Sequence, residues 1–174
     1  AVCRAILSRI LESGSSSGGY AVLYISPLKA LINDQYRRLQ DMTKDMGIPV
    51  TPWHGDVSAS VKTNSLKHPS GILIITPESL EAMLMNRKQT LHNSFDGLKY
   101  VVIDEFHSLL GFERGKQLQS LLSRLENYTG RKVPRIAMSA TLSDYEAVER
   151  FLRPDGSMPC TVPECGKKGA GRRH

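Results

Sequence analysis

Short apolar runs separated by stretches of helical spacing constrain this chain more than any other feature. The runs Ala21–Ile25, Ile72–Ile75, Tyr100–Ile103 and Ile136–Met138 are brief, rich in β-branched residues and apolar throughout. Strands covered on both faces read this way. A weaker run, Val50–Trp53, leads into His54–Gly55–Asp56. Between the runs, Leu28, Leu31, Ile32, Leu39, Met42 and Met46 recur at helical spacing, as do Leu118, Leu121, Leu122 and Leu125. Val2, Ile6 and Ile10, with Cys3, Leu7 and Leu11, place a further helix over residues 1–12. This alternation predicts an α/β fold, a parallel sheet with helices on both faces. The 174 residues suffice for one domain with a real core. That domain spans residues 1–153, with a Ser/Gly loop from Glu12 to Gly19. Periodicity stops after Pro154, so residues 154–174 read as an irregular basic tail, unstructured over Gly166–His174.

The hydrophobic share of 40% and charged share of 23% are ordinary for a globular protein. No apolar run approaches membrane-spanning length and no signal core opens the chain, so a membrane partner is not expected and a cytoplasmic location is the default. Cys3, Cys160 and Cys165 are odd in number and scattered, which argues against a disulfide framework. Cys160 and Cys165, near His174, amount at most to half a zinc site. The net charge of +6 is uneven: Lys167, Lys168, Arg172 and Arg173 sit in the last nine residues, and without them 19 bases face 17 acids. Any polynucleotide contact must therefore come from placed groups rather than a bulk field.

Chemistry concentrates where strands end. Tyr100–Ile103 runs into Asp104 and Glu105, with His107 two residues on; the later strand ends in Ser139–Ala140–Thr141. Ligands of open parallel sheets bind beyond the carboxyl ends of the strands. Adjacent acids there suit phosphoryl transfer, with Asp104 holding Mg²⁺ through its waters and Glu105 orienting and deprotonating the attacking water. His107 can face back and hydrogen-bond the Ser139 and Thr141 hydroxyls, reporting phosphate state to the rest of the molecule. Two further turns share a design: Ser26–Pro27–Leu28–Lys29 and Thr76–Pro77–Glu78–Ser79 each set a hydroxyl at the N-cap and proline at the first helical position. Both helix starts should emerge on the same sheet edge and grip successive phosphates of one strand, with Lys29 adding a charge. Recognition of that kind is independent of base sequence. Trp53 reads as core.

Taken in order, Ser26–Pro27–Leu28–Lys29–Ala30–Leu31, Thr76–Pro77–Glu78–Ser79, Asp104–Glu105–Phe106–His107 and Ser139–Ala140–Thr141 resemble motifs Ia, Ib, II and III of the first RecA-like domain of superfamily 2 helicases. The segment from His107 to Leu118, with Arg114–Gly115 followed by Leu118, is similar to the large helicase-related (Lhr) branch. The resemblance implies an ATP-dependent 3′-to-5′ translocase on DNA with a single-stranded segment, acting in repair, with ATP and Mg²⁺ as cofactors. It implies that Asp104, Glu105 and His107 serve catalysis and that His107, Ser139 and Thr141 couple hydrolysis to movement. Ser26, Pro27, Lys29, Thr76, Pro77, Glu78 and Ser79 would meet the strand backbone, near the His54–Gly55–Asp56 turn. Arg114 would be a further phosphate contact or else an ion pair with Glu113 or a neighbour. An RNA helicase of a related branch and a non-catalytic nucleic-acid-binding remnant are the alternatives.

The chain departs from the pattern: it contains no G-x-x-x-x-G-K-[ST] phosphate loop, and neither the adenine-reading segment upstream of it nor the second RecA-like domain with its arginines. Residues 1–12 resemble the helix that follows that loop. The expectation is thus a partial first RecA-like domain, whose partner would be the rest of the helicase, including a second RecA-like domain. Without the strand that precedes the loop, the edge beside Ile136–Met138 would be open. Alone, such a piece should not hydrolyse ATP appreciably.

Overall fold

Burial on both faces is what makes the apolar runs strands. The computed structural model describes residues 2–12, 18–86, 88–141 and 144–158. Strands β1 (Val22–Ile25), β2 (Val50–Trp53), β3 (Ile72–Ile75), β4 (Tyr100–Ile103) and β5 (Arg135–Ala137) form one sheet of order β2-β3-β1-β4-β5, and every pairing is parallel. Central β1 pairs in register with β3 on one side and β4 on the other, Ile25 lying opposite both Ile75 and Ile103.

Alternate side chains feed two cores. Leu23, Ile25, Leu73, Ile75, Val101 and Ile103 enter the layer formed with α4 (Pro77–Asn86), α5 (Lys88–Phe95), α6 (Glu113–Thr129) and α7 (Tyr145–Leu152). Val22, Tyr24, Ile72, Ile74 and Val102 enter the layer formed with α1 (Val2–Glu12) and α2 (Lys29–Thr43). Each fully buried aliphatic side chain in these layers contributes about 1.5–3 kcal/mol. Trp53 is buried in the first layer, as expected. Pro52 explains why β2 was the weakest strand signal: among the described residues β2 is an edge strand paired with β3 alone, where a missing N–H is tolerated.

Some boundaries differ from the sequence expectation. The last strand runs Arg135–Ala137 rather than Ile136–Met138, although Met138 N–H still donates to the Ile103 carbonyl at 2.8 Å. Helix α3 (Ala59–Lys67) buries Leu66 alone and carries no apolar period to detect. Ser58 caps it, accepting from Val61 N–H. Among the described residues β5 pairs with β4 alone. Cys160, Cys165 and the basic tail lie outside the described residues.

A buried ionic cluster, not anticipated from sequence, ties α6 and the end of α7 to β5. Glu126 accepts from Arg153 Nη1 at 2.7 and 3.0 Å and from Val133 N–H at 3.1 Å, and pairs with Arg135 Nη2 at 3.0 Å. Arg153 also donates to the Val133 carbonyl. This cluster sits where β5 begins, at the opposite end of the strand from the candidate site.

Candidate functional site

Parallel strands share one carboxyl edge, and here every strand delivers chemistry to it. In spatial order the edge carries His54–Asp56 after β2, Thr76–Ser79 after β3, Ser26–Lys29 after β1, Asp104–His107 after β4 and Ser139–Thr141 beyond β5.

The β4–β5 half is built around Asp104, which is only 7% exposed. Tyr24, on β1, donates its hydroxyl to Asp104 Oδ2 at 2.7 Å, and Glu105 N–H donates to Oδ1 at 2.9 Å. Two donors thus orient the carboxylate. Glu105 follows with φ 46° and ψ 42°, a left-handed conformation found at no other non-glycine among the described residues. That conformation costs on the order of 1 kcal/mol and must be imposed by the surroundings. It turns the chain out of β4. Phe106 enters the core edge-on to Phe151, with ring centres 4.9 Å apart, and its N–H donates to the Met138 carbonyl at 3.0 Å. His107 emerges 44% exposed, with Nδ1 2.9 Å from Ser139 Oγ and Nε2 3.4 Å from Glu105 Oε2, whose side chain is 30% exposed. The expected bridge from histidine to hydroxyl is present at Ser139. Thr141 joins through its backbone, its carbonyl accepting from Ser139 Oγ at 3.1 Å.

The β2–β3–β1 half brings the two hydroxyl–proline turns together, and they differ. Thr76 is the N-cap read from the sequence: Ser79 N–H donates to its Oγ1 at 3.2 Å and Pro77 opens α4. Ser26 is not a cap. Helix α2 starts at Lys29 after an extended Leu28 that makes no side-chain cap bond, and Ser26 Oγ donates to the Leu28 carbonyl at 3.3 Å. Lys29 reaches back to Asp56 at 2.9 Å, tying this turn to the one after β2. That bond holds the Asp56 carboxyl below its ordinary range, while burial lowers the neighbouring His54. Arg114 pairs with Glu78 at 2.7 Å and donates to the Pro27 carbonyl at 2.6 Å. Of the two outcomes open from sequence, the geometry contains the ion pair with a neighbour, and that neighbour is Glu78.

Tyr24 escaped the sequence reading as part of an apolar run. The signal was its hydroxyl, since a tyrosine inside an otherwise aliphatic buried strand needs a polar partner.

The profile of the DEAD/DEAH box helicase family matches residues 1–150. The ATP-dependent helicase Lhr-Core of Methanothermobacter thermautotrophicus is 35% identical over 157 residues, covering 84% of this chain and 18% of the relative. The Lhr helicase/uracil glycosylase of Escherichia coli is 36% identical, covering 81% of this chain and 10% of the relative. The Mycobacterium smegmatis helicase Lhr, solved bound to ssDNA and AMP-PNP, superposes with a TM-score of 0.72 at 33% identity over 89% of this chain and 21% of that one. The chain therefore spans less than a quarter of these relatives' length. Matched over residues 1–150 and folded as a RecA-like parallel sheet with Asp104–Glu105–Phe106–His107 at a strand end, this chain belongs to the DEAD/DEAH box helicases.

Proposed function

We propose that this chain is part of the motor of an ATP-dependent helicase that moves along single-stranded DNA. The observation that carries the reading is the pair of strand ends joined at His107 and Ser139, 2.9 Å apart, beside Asp104 and Glu105. A phosphate-sensing bridge next to paired carboxylates has the form that coupling hydrolysis to movement requires. The ssDNA-bound relative supports DNA over RNA as the track.

The donor set suits Mg²⁺. Each Asp104 oxygen accepts one hydrogen bond from the protein, leaving lone pairs for the waters of a hard cation. Among the described residues no cluster of three or more acids, histidines or cysteines could hold a metal ion. When bound at Asp104, with Glu105 beside it, Mg²⁺ would neutralise charge on the phosphates of ATP. The chain's own residues do the rest. Glu105, held out of the strand by its left-handed backbone, orients the attacking water and accepts its proton. His107 passes the outcome to Ser139 and onward to the Thr141 backbone. Thr76, Pro77, Ser79, Ser26, Pro27 and Lys29 grip the strand backbone, with no readout of bases.

No phosphate loop occurs within these 174 residues, so the chain alone supplies carboxylates and grip without a phosphate cradle. The test uses a protein in which this segment is joined to a phosphate loop and a second RecA-like domain. Single-stranded DNA should stimulate its ATP turnover, and Glu105→Gln should cut that turnover by about 100-fold or more. Turnover indifferent to both would sink the proposal.

A further inference from the structure

Arg114 sits in the first turn of α6, the helix that follows the Asp104–His107 segment, yet its side chain is spent on the other half of the edge. Nη2 donates to the Pro27 carbonyl at 2.6 Å and to Glu78 Oε1 at 2.7 Å, and Nε donates to the same carboxylate oxygen at 3.0 Å. These contacts occupy three of the five N–H donors a guanidinium owns. One side chain thus straps the turn after β1 to the first turn of α4. The next residue makes the placement possible. A Cβ on Gly115 would run into the Leu109 carbonyl and the Phe151 ring, so only glycine lets α6 begin close enough for Arg114 to reach across.

We infer that Arg114 is a positioning residue for nucleic-acid binding, setting the spacing of the two backbone-gripping turns rather than itself contacting phosphate. The inference rests on the strand-gripping role proposed above. Two physical effects carry it. Pro27 lies in an uncapped, extended approach to α2, and Arg114 supplies an anchor that Ser26 does not. Glu78 puts a negative charge in the first turn of α4, on an edge meant for phosphates, and the guanidinium neutralises it. The pair is also half exposed, at 41% and 55%, so removing it should leave folding nearly untouched and expose the binding effect.

The test measures binding of a fluorescein-labelled oligothymidylate by anisotropy across a salt series, with thermal unfolding as the control. Arg114→Ala should weaken binding by about tenfold while the slope of log K against log salt stays unchanged. In a Glu78→Ala background the same substitution should cost much less, because one end of the strap is already gone. Arg114→Lys should not restore full affinity, since an ammonium cannot serve both partners in a fixed fork. A slope that falls by about one charge would place Arg114 on a phosphate and overturn the inference. Unchanged affinity would overturn it alone. Absence of binding by the unsubstituted chain would overturn the strand-gripping reading and this inference with it.

Discussion

Tyr24 and Asp104 lie 80 positions apart in sequence and 2.7 Å apart in the fold. A hydrogen bond to a buried carboxylate contributes about 1.5–3 kcal/mol, so Tyr24→Phe should lower the urea-unfolding free energy by that amount. An unchanged midpoint would mean that the Tyr24–Asp104 bond adds nothing to stability. Sequence placed Asp104, Glu105, His107 and Ser139 at one site because strand ends carry chemistry in this architecture. It missed Tyr24 because the partner comes from a different strand. It also missed the left-handed backbone of Glu105, since nothing local marks a glutamate for that conformation. His54 belongs to the same scale. It is buried and accepts from Asp56 N–H through Nδ1 at 3.4 Å, with Asp56, Lys29 and Lys62 as its charged neighbours. Burial lowers its folded pKa below the unfolded value of about 6.5, so its neutral form stabilises the fold above that pH and the contribution is lost as pH falls through the folded value. The urea midpoint should therefore drop between pH 7 and pH 5, and His54→Gln should flatten that part of the slope.

At the scale of elements, equal patterns had unequal outcomes. Ser26–Pro27 and Thr76–Pro77 read alike, yet only Thr76 caps its helix. Leu28 stays extended between Pro27 and α2, and Arg114, from a helix far along the chain, holds the Pro27 carbonyl. Capping propensity is local; this tie is not. The central strands were legible because both faces are covered, giving continuous apolar runs. Helix α3 was not, because a helix burying one leucine has no period. Gly115 was visible only as half of an Arg-Gly pair, while its reason is tertiary: the approach of α6 to Leu109 and Phe151. Gly115→Ala should destabilise the chain by about 1–3 kcal/mol through overpacking, despite alanine's better helix propensity. Chemical denaturation reads this directly, and a stabilised variant would refute the close approach.

Across the whole molecule, the sheet separates two kinds of work. On the reading proposed above, its carboxyl edge carries function, ordered from the turns proposed to grip a strand beside β2, β3 and β1 to the carboxylates and hydroxyls beside β4 and β5. Where β5 begins, a cluster with no evident functional role holds β5, α6 and the end of α7 together through Glu126, Arg135 and Arg153. Replacing Glu126 with alanine strands two buried guanidiniums and should cost about 3–5 kcal/mol in the urea-unfolding free energy. The central claim, that one edge of this sheet grips a single strand, is tested most directly by amide hydrogen exchange of the chain with and without oligothymidylate. Protection should rise at residues 26–31, 54–57 and 76–80 and stay unchanged at residues 40–50, near the amino end of β2. Protection at residues 40–50 instead, or nowhere, would contradict the account.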